Sequence, residues 1–138
     1  MLTMGKLVGV MTVLLAVLTA CAPAEPAAPA GPLVQTVEGI TFTVSLSPSQ
    51  LLSRESATVE IRLSGAEGQP INDGRMVVSM ESKGHAMTPN VAAAEPKGNG
   101  VYQATLKPAG MTGEHVISAD LQWQGRSYRA TFGGINVR

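Results

Sequence analysis

The sequence predicts an all-β domain, an immunoglobulin-like antiparallel β-sandwich of six to seven strands. Three observations carry the prediction. Apolar and polar residues alternate over short segments, Gly, Pro and Asn clusters separate those segments, and no part of the domain shows a helical period. One face of each strand should pack and the other should be wet. The Cys-Trp-Cys pattern of antibody domains is missing, so the likeness to them is loose.

The elements follow in chain order. Ile40, Phe42, Val44 and Leu46 share a face, and Pro48 ends that run. Ala57, Val59, Ile61 and Leu63 alternate with Thr58, Glu60, Arg62 and Ser64 to give a second half-buried strand. Residues 65–74 (GAEGQPINDG) are a turn cluster. Met76, Val78 and Met80 then share parity. Val91–Ala94 reads as an edge strand, an exposed apolar patch or simply an ordinary short strand, and Gly98-Asn99-Gly100 as a strong turn. Tyr102, Ala104 and Leu106 follow on one face, with a loop over residues 108–113. His115, Ile117, Ala119, Leu121 and Trp123 form a longer strand that turns at Gln124-Gly125. Tyr128, Ala130 and Phe132 return, and Ile135 and Val137 finish the chain.

The N-terminal segment reads as an address. Lys6 precedes an uncharged apolar run from Leu7 to Leu18, too short for a comfortable membrane span and suited to a signal peptide. The run leads into Leu18-Thr19-Ala20-Cys21, which is similar to the processing site of bacterial lipoproteins. Residues 1–20 are therefore expected to be a signal peptide and Cys21 the acylated residue. Cys21 is the single cysteine in the chain, so neither a disulfide nor a thiolate metal ligand is expected in the domain. Residues 21–32, Ala/Pro-rich and almost without charge, are expected to be a disordered, semi-stiff tether. Residues 33–138 form one domain by size. The implied location is a cell membrane or outer membrane, with the domain facing the periplasm or the exterior.

Composition narrows the partners. Without Lys6 the chain carries nine Lys and Arg against ten Asp and Glu, with no basic or acidic run, so no nucleic-acid partner is expected. Nucleophilic catalysis needs Ser, Thr or Cys beside an oriented base, and phosphate binding needs a glycine loop leading into a helix; neither pattern occurs. Glu81, Glu95 and Asp120 are scattered and read as solvated surface. No catalytic residue is assigned, and the chain is not read as an enzyme.

The segment MESKGHAMTPN, residues 80–90, holds the chemistry. Imidazole and thioether sulfur are suitable ligands for Cu(I). His85 and Met87 form a His-x-Met triplet, and Met111 lies in a second loop. Were those loops neighbours at one end of the sandwich, His85, Met87 and Met111 could make a three-coordinate site. Met80 and His115 would join only if the strand ends turned them outward. Their parity instead places Met76 and Met80 in the core and makes His115 a packed, hydrogen-bonded ring.

Four short motifs carry a resemblance. They are Gly68-Gln-Pro70, the Met/Gly/Pro-rich loop from Met80 to Asn90, Gly98-Asn-Gly-Val-Tyr102, and Met111-Thr-Gly113-Glu-His115. Across residues 40–138 the chain resembles the YtkA-like/FixH family of extracytoplasmic β-sandwich domains. It departs from that family at His115, where tryptophan is usual, and at Gly74, where alanine is usual. The resemblance implies a membrane-attached or secreted domain. FixH proteins are associated with cation or copper handling for haem-copper oxidase assembly, which would make the partner an envelope or oxidase-assembly protein. Fold does not carry function by itself. The alternative is an interaction module of the cell envelope that binds no metal.

Overall fold

The computed structural model describes residues 31–85, 88–107 and 110–138. The segments expected to be a signal peptide and a tether lie outside these residues up to residue 30, Cys21 included. No helix among them is long and apolar enough to cross a membrane.

Eight strands form the fold: β1 (Leu33–Val37), β2 (Ile40–Ser47), β3 (Ala57–Ser64), β4 (Arg75–Ser82), β5 (Asn90–Gly98), β6 (Val101–Leu106), β7 (Gly113–Trp123) and β8 (Arg126–Val137). All pair antiparallel in a single sheet of order β1-β2-β3-β6-β5-β4-β7-β8. The sheet curls until its two end strands lie side by side. Glu38 then reaches Arg126 across 3.2 Å, and the Gln35 side chain accepts the Thr131 N–H at 2.8 Å. The architecture is a nearly closed all-β sheet.

Alternation drives the closure. Phe42, Val44, Val59, Ile61, Val78, Ala104 and Leu121 all turn inward and are almost wholly buried. One continuous core fills the inside, and Met76 and Met80 belong to it at 1% and 4% exposure. Core methionine is the ordinary use of a flexible thioether.

Two expectations need correction. The strands number eight, because Leu33–Val37 pairs with β2 directly after the tether and because Asn90–Gly98 is a full strand. Nor is Val91–Ala94 an edge: β5 is interior, bonded to β4 over Asn90–Ala94 and to β6 from Glu95 onward. Its Pro96 sits beside a register shift, where a missing N–H costs least. Only alanines, Ala92 and Ala94, pack from β5 against the core, which lets the sheet fold closely at this crease.

β8 runs unbroken to Val137. A register shift opposite His115 and Ile117 falls at Gly133-Gly134, with Gly134 at φ 73°. A one-residue bulge exchanges the faces of everything beyond it. Inward parity thus passes from Tyr128, Ala130 and Phe132 to Ile135 and Val137.

The two ends of the sheet differ. Three two-residue hairpin turns, Glu38-Gly39, Asn99-Gly100 and Gln124-Gly125, gather at one end, all with positive φ as such turns require. The chain enters β1 at the other, the end from which the expected tether would run. There residues 48–56 cross the opening, and Leu51 bridges Val137 in parallel while Arg138 N–H donates to Leu51 O at 2.9 Å.

Candidate functional site

The end where the tether enters also carries the histidines and the remaining methionine. β4 and β7 pair from Arg75↔Gln122 to Ser82↔His115, so the segment after β4 and the segment before β7 leave the ladder together. Lys83 N–H donates to Glu114 O at 2.9 Å, and the Lys83 ammonium meets the Glu114 carboxylate at 3.0 Å. The Asn90 side chain donates to Lys107 O, drawing the start of β5 to the end of β6. The loop with His85 and the segment with Met111 therefore lie at the same end.

Within that end the side chains separate. His85 is exposed and helps wall a shallow outer depression of about 540 Å³ with Glu81, Ser118, Arg129 and Thr131. Met111 is half-buried and is not part of that wall. Met87 lies outside the described residues. Met80 stays in the core, so the strand end does not turn it outward. Among the described residues no three His, Cys, Asp or Glu side chains gather as a metal site of those donors would need.

His115 is wholly buried. Its Nδ1 lies 3.0 Å from Gly113 O, and because a carbonyl only accepts, Nδ1 carries the proton. Nε2 then presents a lone pair to the interior, and among the described residues it has no hydrogen-bond partner. Half of the expected ring chemistry is present: the packing and one bond. An unsatisfied buried acceptor is uncommon and costs about 1–3 kcal/mol.

The opposite end explains two of the motifs. Gly100 N–H donates to Asn72 Oδ1 at 2.6 Å, and Gly100 O accepts from Leu63 N–H at 2.8 Å. A Cβ on Gly100 would stand 2.4 Å from Leu63 O and 3.2 Å from Pro70 Cβ. The Tyr102 hydroxyl donates to Ile71 O and accepts from Gly74 N–H, both at 3.0 Å. Burial raises the Tyr102 pKa above its ordinary value, with Asp73 adding to the rise and the Gly74 hydrogen bond opposing it. The Trp123 indole N–H donates to Asp73 at 2.8 Å. The Gly-Gln-Pro turn and the Gly-Asn-Gly-Val-Tyr turn are thus the two halves of one hydrogen-bonded closure. A Cβ at Gly74 would meet Leu121 Cδ1 at 2.6 Å, which accounts for glycine there. Periodicity gave no sign of this network, because its partners are loop backbone groups far apart in sequence.

No protein-family model matches the chain, and no curated protein matches it.

Proposed function

We propose that this chain is a lipid-anchored accessory module of the cell envelope that handles Cu(I) at the end where its tether enters. The observation that supports this most is the meeting of the His85 loop, the Met111 segment and the tether at one end of the sheet. His85 supplies a ring nitrogen, and Met87 and Met111 supply thioether sulfur, a donor set suited to Cu(I). Exposure of His85 and half-exposure of Met111 leave both able to move onto an ion. The proposal includes no catalytic step.

The finer fold reading belongs here too. We read the curled sheet as a flattened, immunoglobulin-like sandwich of YtkA-like type, with β1-β2-β3-β6 and β4-β7-β8 as its two layers. The division of β5 between β6 and β4 supports that reading.

The test is a Cu(I) titration of the full chain in detergent, under reducing conditions, against a competing chelator. One-to-one binding weakened about tenfold or more by His85→Ala and by Met111→Ala is the expected result; loss of a ligand is worth at least about 1.4 kcal/mol on this scale. Absence of binding would sink the copper reading and favour a metal-free interaction module, whose partner would be sought by cross-linking at the membrane.

A further inference from the structure

Between the start of β1, the end of β2 and the end of β8 lies a cavity of about 230 Å³. Its walls include Leu33, Val44, Leu46 and Ile135 with Ser45, Ser49 and Asn136, and none of the described lining residues is charged or aromatic. Val44 and Ile135 are core residues at 1% and 2% exposure, so the cavity is backed by the core. It exists because closure is incomplete. β1 and β8 share no backbone ladder, and among the described residues the side-chain bridges between them, from Gln35 and Glu38, lie away from the tether.

Protein interiors are close-packed, with few voids larger than a water molecule. An apolar cavity of about 150 Å³ stays dry and takes up benzene. This one is about half as large again, and aliphatic throughout its core side. Such a lining suits a flexible alkyl chain and offers no charge to a head group.

We infer that the cavity receives the end of an acyl chain carried on Cys21, folding the anchor back onto the domain it tethers. The inference rests on the lipid-anchored reading above. Gly31 and Pro32, the first two residues described, themselves line the cavity, so the chain enters the fold beside it. Cys21 lies ten residues before Gly31. Ten residues reach at most about 36 Å, so the cysteine can return to the opening. A tether of that length holds its end at an effective concentration of order millimolar, an advantage over any free lipid. The other chains on the cysteine stay in the bilayer, since lasting attachment takes more than one. The domain then has two positions: held off the membrane by an extended tether, or seated with its histidine-bearing end against the bilayer.

The experiment uses the full chain, purified from membranes and placed in nanodiscs of perdeuterated phospholipid, so that the only protonated acyl chains are the protein's own. Mass spectrometry of the Cys21 peptide comes first. The expected result is an acylated Cys21 together with nuclear Overhauser contacts from acyl methylenes to the methyl groups of Leu33, Val44, Leu46 and Ile135. Those contacts should be lost in Leu46→Trp, which fills the cavity. Ser49→Leu serves as a second filling variant if the methyl spectrum of the first is disturbed. An acylated Cys21 without the contacts overturns this inference and leaves the anchored reading standing. Contacts that appear only with protonated lipid and a protein deuterated except at those methyl groups make bilayer lipid the occupant, and also overturn it. An unmodified Cys21 overturns both.

Discussion

The two ends of this sheet are built to opposite standards. At the hairpin end, Asn72, Gly74, Gly100 and Tyr102 are joined by a set of hydrogen bonds of 2.6–3.0 Å that bind two loops into one piece. At the tether end, the His115 Nε2 atom is buried without a partner among the described residues, a cavity of about 230 Å³ opens beside β1, and the Lys83–Glu114 ion pair is exposed. A fold needs only one firm closure to fix its strands in register. Where that closure sits, the depression of about 620 Å³ beside it is walled by Asp73, Trp123 and Arg126, and Asp73 and Trp123 are already bonded to each other. Where it is absent, His85 and Met111 stay accessible and an apolar cavity remains.

The largest break in this contrast should come from Gly100→Ala. The substitution forces a side chain into positive φ and drives Cβ against the Leu63 carbonyl. A loss of about 3 kcal/mol is expected, read as a lower urea midpoint. Next is Tyr102→Phe, which strands Ile71 O and Gly74 N–H and should cost about 2 kcal/mol. It also changes the pH response. The raised pKa means that the folded protein keeps the phenolic proton where the unfolded chain has lost it. That contribution is complete below the unfolded value of about 10 and falls away as pH climbs past it. Urea midpoints followed from about pH 8 to about pH 11 should decline more steeply for the native chain than for Tyr102→Phe.

At the other end the sign should reverse. His115→Leu removes the orphaned Nε2 and should leave stability unchanged or raise it by about 1 kcal/mol, measured by the same unfolding assay. A loss as large as that of Tyr102→Phe would show that His115 is part of a closure comparable to the one opposite. The smallest effect belongs to Lys83→Ala. Its ion pair with Glu114 has side chains 63% and 41% exposed, so less than about 0.5 kcal/mol should be lost, and that little should fade with added salt.

The same division marks what could be read from the sequence. Strand parity was legible wherever one face is buried: Ile40 to Leu46, Ala57 to Leu63 and Tyr102 to Leu106 all turn as their alternation predicts. β1 was not legible, because Leu33–Val37 is brief and follows proline-rich chain. The interior position of β5 was hidden because its inward residues are small and Pro96 reads as a break. Pairings such as β3 with β6 join residues 39 to 49 positions apart, and periodicity carries nothing about partners. Of the candidate ligands, the burial of Met80 followed from parity. The neighbourhood of the His85 and Met111 segments depended on β4 pairing with β7, which only the assembled sheet reveals.

The order of the strands also gives the molecule a mechanical direction. β1 begins beside the tether and runs toward the hairpin end, and β8 ends where β1 begins. Ladder hydrogen bonds lie across the strands. A load taken between the tether and the hairpin end pulls along β1 and strains its five residue pairs with β2 all together, in shear. A load taken between the tether and Arg138 peels those pairs one after another. Force spectroscopy with attachment at Gln124 should therefore give a higher rupture force than attachment at Arg138, making this a domain that is stiff along β1 and yielding across it.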